Sequence, residues 1–251
     1  MKTDFKILVL GDDCQDVYQY GTVDRISPEA PVPVFKNTYS ETKPGMARNV
    51  VENFHIYGAH VDFMTSGCSI KTRMVDERSK QHILRIDEDA NATPITLDVS
   101  ILPNYDAVVI SDYCKGAITY ELVRKIRHAY SGPIFIDTKK PDLSCFSDCY
   151  VKVNSLEYEN AKSVTLNTIV TLGAGGARFR DKVYPAPKTE VADVTGAGDT
   201  FLASLVWEYL QTRNIEKSIE YAIKAASISV QHFGVYKLTK EDVNAIKWGR
   251  K

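Results

Sequence analysis

The stretch "AVVISDYCKGAITYELVRKIRHAYSGPIFIDT", residues 107–138, carries the unit from which the rest of the chain is read. It opens and closes with short β-branched runs, "AVVISD" (107–112) and "PIFIDT" (133–138), each ending on polar residues. Between them Leu122, Val123, Ile126 and Ala129 fall at helical spacing, and "SGP" ends the pattern. Strand, helix and strand in that order belong to a parallel sheet, whose strands are apolar throughout because helices cover both faces.

Working outward, similar runs recur at "KILVLGD" (6–12), "HVDFMTSG" (60–67), "YVKVN" (150–154) and "TIVTLG" (168–173). A second helical pattern, Ala47, Val50, Val51, Phe54 and Tyr57, is closed by Gly58. The alternation predicts an α/β fold with a mainly parallel central sheet. Ligands of such sheets bind beyond the carboxyl ends of the strands. Those ends here bear Asp12, Ser111-Asp112, Asp137-Thr138-Lys139 and Asn154, so the site is expected there.

Two segments, about 15–42 and 71–89, break the alternation by mixing apolar and polar residues. The prolines of the first suit an edge strand and not a central one. Both predict hairpins of a small second sheet, with long surface loops as the alternative. Near the end come a helix of small residues, "YAIKAASISV" (221–230), and "LTKEDVNAIKW" (238–248), which starts with a capping pattern at Thr239 and Asp242.

With 251 residues, 44% hydrophobic and 25% charged, the chain can build one substantial core, alone or with a small appendage. A net charge of -1 gives no global reason to expect nucleic acid or an anionic membrane as partner. The opening "MKTDFKILVLGDD" holds an apolar run of four residues, too short for a signal peptide or a membrane span, and a cytoplasmic location is the expectation. Cys14, Cys68, Cys114, Cys145 and Cys149 form no C-x-x-C pair, and the five histidines show no H-E-x-x-H spacing, so neither a disulfide framework nor a zinc site is signalled.

"DVTGAGDT", residues 193–200, runs directly into the apolar "FLASLVWEYL". A glycine turn feeding a helix N-terminus bares backbone N–H groups, and the helix dipole adds partial positive charge, so an anion is welcome there. In one reading Gly196, Ala197 and Gly198 cradle a migrating phosphoryl group while Asp199 accepts the proton of an attacking hydroxyl. In the other, Asp199 merely caps a helix after a flexible turn. No G-x-x-x-x-G-K-[ST] and no H-R-D loop occurs, which excludes a P-loop nucleotide site and a protein kinase, and "GAGG" (173–176) does not fit G-x-G-x-x-G.

"DVTGAGDTF" resembles the C-terminal signature of the PfkB (ribokinase-like) carbohydrate kinases. "GDDCQDVYQYGTVDRISPEAPVPVFK", "KPGMARNV", "SDYCKGAIT", "DTKKPD", "NSLEYENA" and "TLGAGGARF" follow that family's order from about residue 6 to 245, and "ISPEAPVPV" is most similar to its branch of D-glycero-D-manno-heptose 7-phosphate kinases. The resemblance implies a three-layer α/β/α ribokinase-like fold, one kinase domain over residues 1–251, with a mainly parallel sheet and a small β-lid built from the two irregular segments. It implies a magnesium- and ATP-dependent kinase phosphorylating a sugar or sugar phosphate, foremost the 1-hydroxyl of heptose 7-phosphate. Another sugar, a nucleoside, or a non-catalytic sugar- or nucleotide-binding relative are the alternatives.

By the same resemblance Asp199 matches the base, and Gly196, Ala197 and Gly198 the anion hole. Asn154 and Glu157 match an N-x-x-E element that organises magnesium through water, although Asn-x-x-Glu is also a capping box. Thr171, Gly173 and Gly176 match the nucleotide loop, with the small-residue helix as the wall of the adenine pocket. Asp12, Asp16, Gly45 and Asn49 match sugar-side positions, and Asp112, Lys115, Asp137 and Lys139 the next strand-end contacts. A monovalent cation near the glycine turn occurs in some relatives, and unpaired lid edges lead to the expectation of a homodimer.

The chain departs from the pattern at Gly45-Met46-Ala47-Arg48-Asn49, where the family has "GGAAN". Met46 adds bulk, and Arg48 is either a fork-shaped donor for a substrate phosphate or a solvent-facing charge. The connections around "FMTSGCSIKTRMV" and "NAKSVTLNTIV" are shorter than usual. The nucleotidyltransferase domain often fused to heptose kinases is not expected here, so that second activity would require a separate chain.

Overall fold

The computed structural model describes residues 4–248. The chain starts with strand β1 (Lys6–Gly11), passes through two long lid strands, β2 (Asp13–Ile26) and β3 (Pro33–Gly45), and enters helix α1 (Met46–His55). Strands β4 (His60–Met64), β5 (Cys68–Asp76) and β6 (His82–Glu88) follow, then β7 (Ala107–Asp112), α2 (Tyr120–Ala129), β8 (Ile134–Thr138), β9 (Tyr150–Asn154) and α3 (Ser155–Glu159). The last part holds β10 (Thr168–Thr171), β11 (Ala177–Phe179), β12 (Lys182–Tyr184), α4 (Ala197–Thr212), α5 (Ile215–Ser229) and α6 (Lys240–Trp248).

Eight strands form the central sheet in the order β12-β11-β10-β9-β8-β7-β1-β4. The six expected from β-branched runs are its parallel members, and β11 and β12 extend one edge as antiparallel strands. Side chains alternate between two cores. Ile7, Val9 and Val109 face a core shared with α1, α4 and α5, whereas Leu8, Leu10, Val108 and Ile110 face the α2 side. That two-sided burial explains why each strand reads as an unbroken apolar run.

The irregular segments pair as a second, four-stranded sheet in the order β3-β2-β5-β6. Its hairpins begin and end a few residues outside 15–42 and just before 71–89. The proline-bearing β3 is an edge strand, as proline's missing N–H requires. The β2 strand needs glycine at Gly21, because a Cβ there would lie 2.0 Å from the Lys36 carbonyl oxygen across the hairpin. Both shortened connections are physical: residues 65–67 alone join β4 to β5, and α3 is five residues long.

Candidate active site

Residues of β8 and β9 and the residue just after β7 meet at the first turn of α4: Tyr113 reaches Asp199, and Asp137 holds Lys152, whose ammonium lies against Gly198. Gly196 caps that helix at φ +77°, a left-handed conformation that glycine adopts without strain, and a Cβ there would sit 2.9 Å from the Asn49 amide nitrogen. Gly198 meets a second limit, since its Cβ would fall 2.9 Å from the Lys152 ammonium. The two glycines therefore let a polar side chain from each flank press against the helix start. In that first turn Ala197 N–H makes only a long contact with the Val194 carbonyl at 3.3 Å, and Asp199 N–H bonds to the Gly196 carbonyl at 3.1 Å, as expected of a helix start that leaves its leading donors poorly satisfied.

Asp199 lies in that turn and is 4% exposed. Asn49 donates its amide N–H to one carboxylate oxygen at 2.8 Å, and the Tyr113 hydroxyl donates to the other at 3.1 Å. Burial pushes the Asp199 carboxyl up to about 6; the Asn49 bond and the Lys152 charge pull the other way, and nearby Asp137 adds to the rise. A carboxylate titrating there is poised as a base near neutral pH. Behind it runs a polar rail: Asn53 donates to the backbone oxygen of Asn49 at 2.8 Å, and the Thr200 hydroxyl donates to Asn53 at 3.1 Å.

Lys152, in the middle of β9, escaped the sequence reading because it sits in an apolar strand. Its ammonium donates to Asp137 at 2.7 Å, and it is 7% exposed. Burial opposes its charge, but Asp137, Glu157 and Asp199 outweigh that and hold its pKa above the ordinary lysine value. Tyr113 was likewise not singled out, since only the tertiary fold brings the residue after β7 to Asp199.

Asn154 and Glu157 form a reciprocal capping box at α3, with Asn154 N–H donating to Glu157 at 2.7 Å and Glu157 N–H to Asn154 at 2.8 Å. Burial, with Asp137 adding, raises the Glu157 carboxyl above the usual range. Thr171, Gly173 and Gly176 line a cavity of about 380 Å³. Gly198, Phe201 and the α5 residues Ile223, Ala226 and Ser227, with Val230 just beyond them, complete its wall. Gly176 is held at φ +92° with the Tyr184 carbonyl where a Cβ would stand, so no other residue fits that turn.

The remaining predicted residues divide. Asp16 pairs with the guanidinium of Arg73 inside the lid, and Gly45 makes room for it, a Cβ there lying 2.3 Å from the Asp16 carboxylate. Asn49, expected on the sugar, is fully buried and spends its amide on Asp199. Asp12, 1% exposed, accepts the N–H groups of Tyr113, Lys115 and Ala117 at 2.7, 3.1 and 3.2 Å, holding the loop that carries Tyr113. Asp112, 2% exposed, accepts from Thr138 at 2.7 Å and faces Lys140 at 3.1 Å. Lys115 reaches Asp89, beyond β6, at 2.5 Å. The Lys139 ammonium lies 4.5 Å from the Tyr113 ring centre. Arg48 does not meet solvent alone: its guanidinium forks onto the buried Asp13, with Nε 2.9 Å from one oxygen. Met46 holds the left-handed φ of +50° and is 4% exposed.

Residues 61–242 match the pfkB family carbohydrate kinases. The chain belongs to that family. Among curated relatives, the bifunctional protein HldE of a Nitratiruptor species is 30% identical over 295 aligned positions, covering 95% of this chain and 64% of that protein. The protein of the same name from Campylobacter jejuni is 29% identical, with 96% and 64% covered. The chain thus spans under two thirds of the length of these relatives. An alignment of 295 positions also exceeds the 251 residues of the chain, so the relatives carry extra segments in keeping with the short connections seen here. Ribokinase from Thermotoga maritima superposes with a TM-score of 0.72 at 17% identity, covering 97% of this chain and 99% of that one. Phosphofructokinase-2 of Escherichia coli, in complex with substrates and products, gives 0.72 at 14%, with the same coverage. At such identities these two establish the pfkB-type fold alone. No helix among the described residues is long and apolar enough to cross a membrane.

Proposed function

We propose that this chain transfers the γ-phosphoryl group of ATP to a hydroxyl of a sugar phosphate, the 1-hydroxyl of D-glycero-D-manno-heptose 7-phosphate. The observation that carries the reading is Asp199: a buried carboxylate with a pKa of about 6, gripped by Asn49 and Tyr113, at the dipolar end of α4. The name of the HldE relatives and the segment "ISPEAPVPV" favour the heptose.

ATP enters the cavity between Thr171–Gly176 and α5, its phosphates directed at Gly196–Gly198. The acceptor hydroxyl lies against Asp199, which takes its proton as the new O–P bond forms and the bond from the γ-phosphorus to the bridging oxygen of ADP breaks. The helix N–H groups and the Lys152 ammonium face the negative oxygens of the group in flight. Asn154 and Glu157 suit magnesium, which favours few protein ligands and several waters, and when bound it neutralises phosphate charge. The fit rests on the donor set: the capping box uses Glu157 Oε2 and Asn154 Oδ1, which leaves Glu157 Oε1 as an oxygen for a water-mediated contact. A monovalent cation would find the pinned Asp193, which accepts from Thr195 and Gly234, beside the same turn. The lid shuts water out by closing over the sugar, and a second copy pairs through exposed lid residues such as Tyr39 and Leu84.

Asp199→Asn tests the mechanism: kcat falls on the order of 10² to 10⁴ with the ATP affinity kept. An unchanged kcat removes Asp199 from the chemistry. Sedimentation at micromolar concentration tests the dimer, a single-chain mass overturning it.

A further inference from the structure

Two lysines from separate parts of the fold converge on one ring. The ammonium of Lys139, just past β8, is 4.5 Å from the centre of Tyr113, and that of Lys71, on β5, is 5.7 Å from it. The same tyrosine donates its hydroxyl to Asp199. Six other cations of the lid sheet and the strand ends are paired: Arg48 with Asp13, Arg73 with Asp16, Lys43 with Glu41, Lys115 with Asp89, Lys140 with Asp112 and Lys152 with Asp137. Among the described residues Lys71 and Lys139 face no carboxylate within 4.0 Å. An aromatic face attracts an ammonium weakly and neutralises none of its charge.

We infer that Lys71, Lys139 and the Tyr113 ring form a seat for a phosphate monoester dianion, the acceptor's own phosphate group remote from the reacting hydroxyl. Two ammonium groups match its charge of about two at neutral pH. Lys139 is near enough to Glu157 to favour its charged form, so the choice of the acceptor over ATP as the source rests on the position of Lys71. Lys71 stands in register with Asp16 in the lid sheet, whereas the cavity assigned to ATP takes its lining from residues between 171 and 194 and from α4, α5 and Val230, with none from the lid sheet. Lys71 travels with the lid and Lys139 with the central sheet, so a phosphate between them ties closure to a phosphorylated acceptor. This inference rests on the kinase reading and adds to it the residues that select the substrate.

The test compares wild type with Lys71→Ala and Lys139→Ala, using D-glycero-D-manno-heptose 7-phosphate and the unphosphorylated heptose as acceptors. Each variant is expected to raise KM for the phosphorylated acceptor by 10-fold or more. KM for ATP is expected to stay within about 2-fold, and KM for the free heptose to rise by less than KM for the phosphorylated acceptor, so the preference for the phosphorylated sugar collapses. Calorimetry of heptose 7-phosphate binding without nucleotide reads the same loss independently of turnover. A rise confined to KM for ATP assigns the lysines to the γ-phosphate and overturns the inference, as does an equal loss with both acceptors. A wild type that phosphorylates free sugars without preference overturns the inference and leaves the kinase reading standing. A wild type that phosphorylates nothing sinks the kinase reading, and the calorimetric comparison then decides the seat by itself.

Discussion

Asn49, in the first turn of α1, donates its amide to Asp199, in the first turn of α4, across 2.8 Å and 150 residues of chain. The bond favours the charged carboxylate, against the burial that disfavours it. The reactivity of the candidate base is therefore set by a neighbour on a different helix.

Removing that donor shifts the pH profile. With Asn49→Ala the Asp199 carboxyl loses a bond to its charged form, and its pKa rises further above about 6. The ascending limb of kcat against pH moves to higher pH, so activity falls more at pH 6 than at pH 8. A limb that stays in place would show that Asn49 does not tune the base.

Asp199 also weakens the fold. Its folded pKa is raised, so the protonated form is the one the fold prefers, and stability declines as pH rises from about 4 through about 6. Asp199→Asn removes the buried charge, and Tyr113 can turn its hydroxyl to suit the amide. We expect a gain of about 1–3 kcal/mol at pH 7, a Tm rise of several degrees, which shrinks toward pH 4. Calorimetric melts at both pH values check it.

Lys152→Met strands Asp137, whose carboxylate has the ammonium as its close partner at 2.7 Å. Breaking a buried pair from one side costs about 3–5 kcal/mol. The double variant Lys152→Met with Asp137→Asn recovers most of that loss in urea unfolding but not the activity, because the cation proposed to face the phosphoryl group is still missing.

Arg48→Ala leaves Asp13, 1% exposed, without its guanidinium. Because Arg48 itself is about half exposed, water replaces part of the interaction, and the expected loss is about 1–3 kcal/mol. If Arg48 bound a substrate phosphate instead, its removal would raise KM with little change in Tm, so the two measurements separate the roles.

Residues close in sequence were legible. All six parallel strands, α1, α2, the small-residue helix, and the reciprocal bonds of Thr239 with Asp242 follow from local periodicity and capping. The glycine turn before Asp199 declared itself because glycine is costly before a helix unless the backbone needs it. The short β11 and β12, three residues each, offered too few positions for a period and were not anticipated.

Side-chain partnership belonged to the tertiary structure. Nothing local tells Lys152 from any strand residue, since its role arises where β9 passes beneath Gly198 of a helix that begins 45 residues later. Asp12 and Asp199 are both acids at the ends of elements, yet one is consumed by three backbone N–H groups and the other holds its charge against burial beside the cleft. Periodicity and capping depend on neighbours within a few residues, so they can be read along the chain. Burial, charge pairing and pKa depend on which distant segments meet, and that is decided only when the sheet and its helices pack.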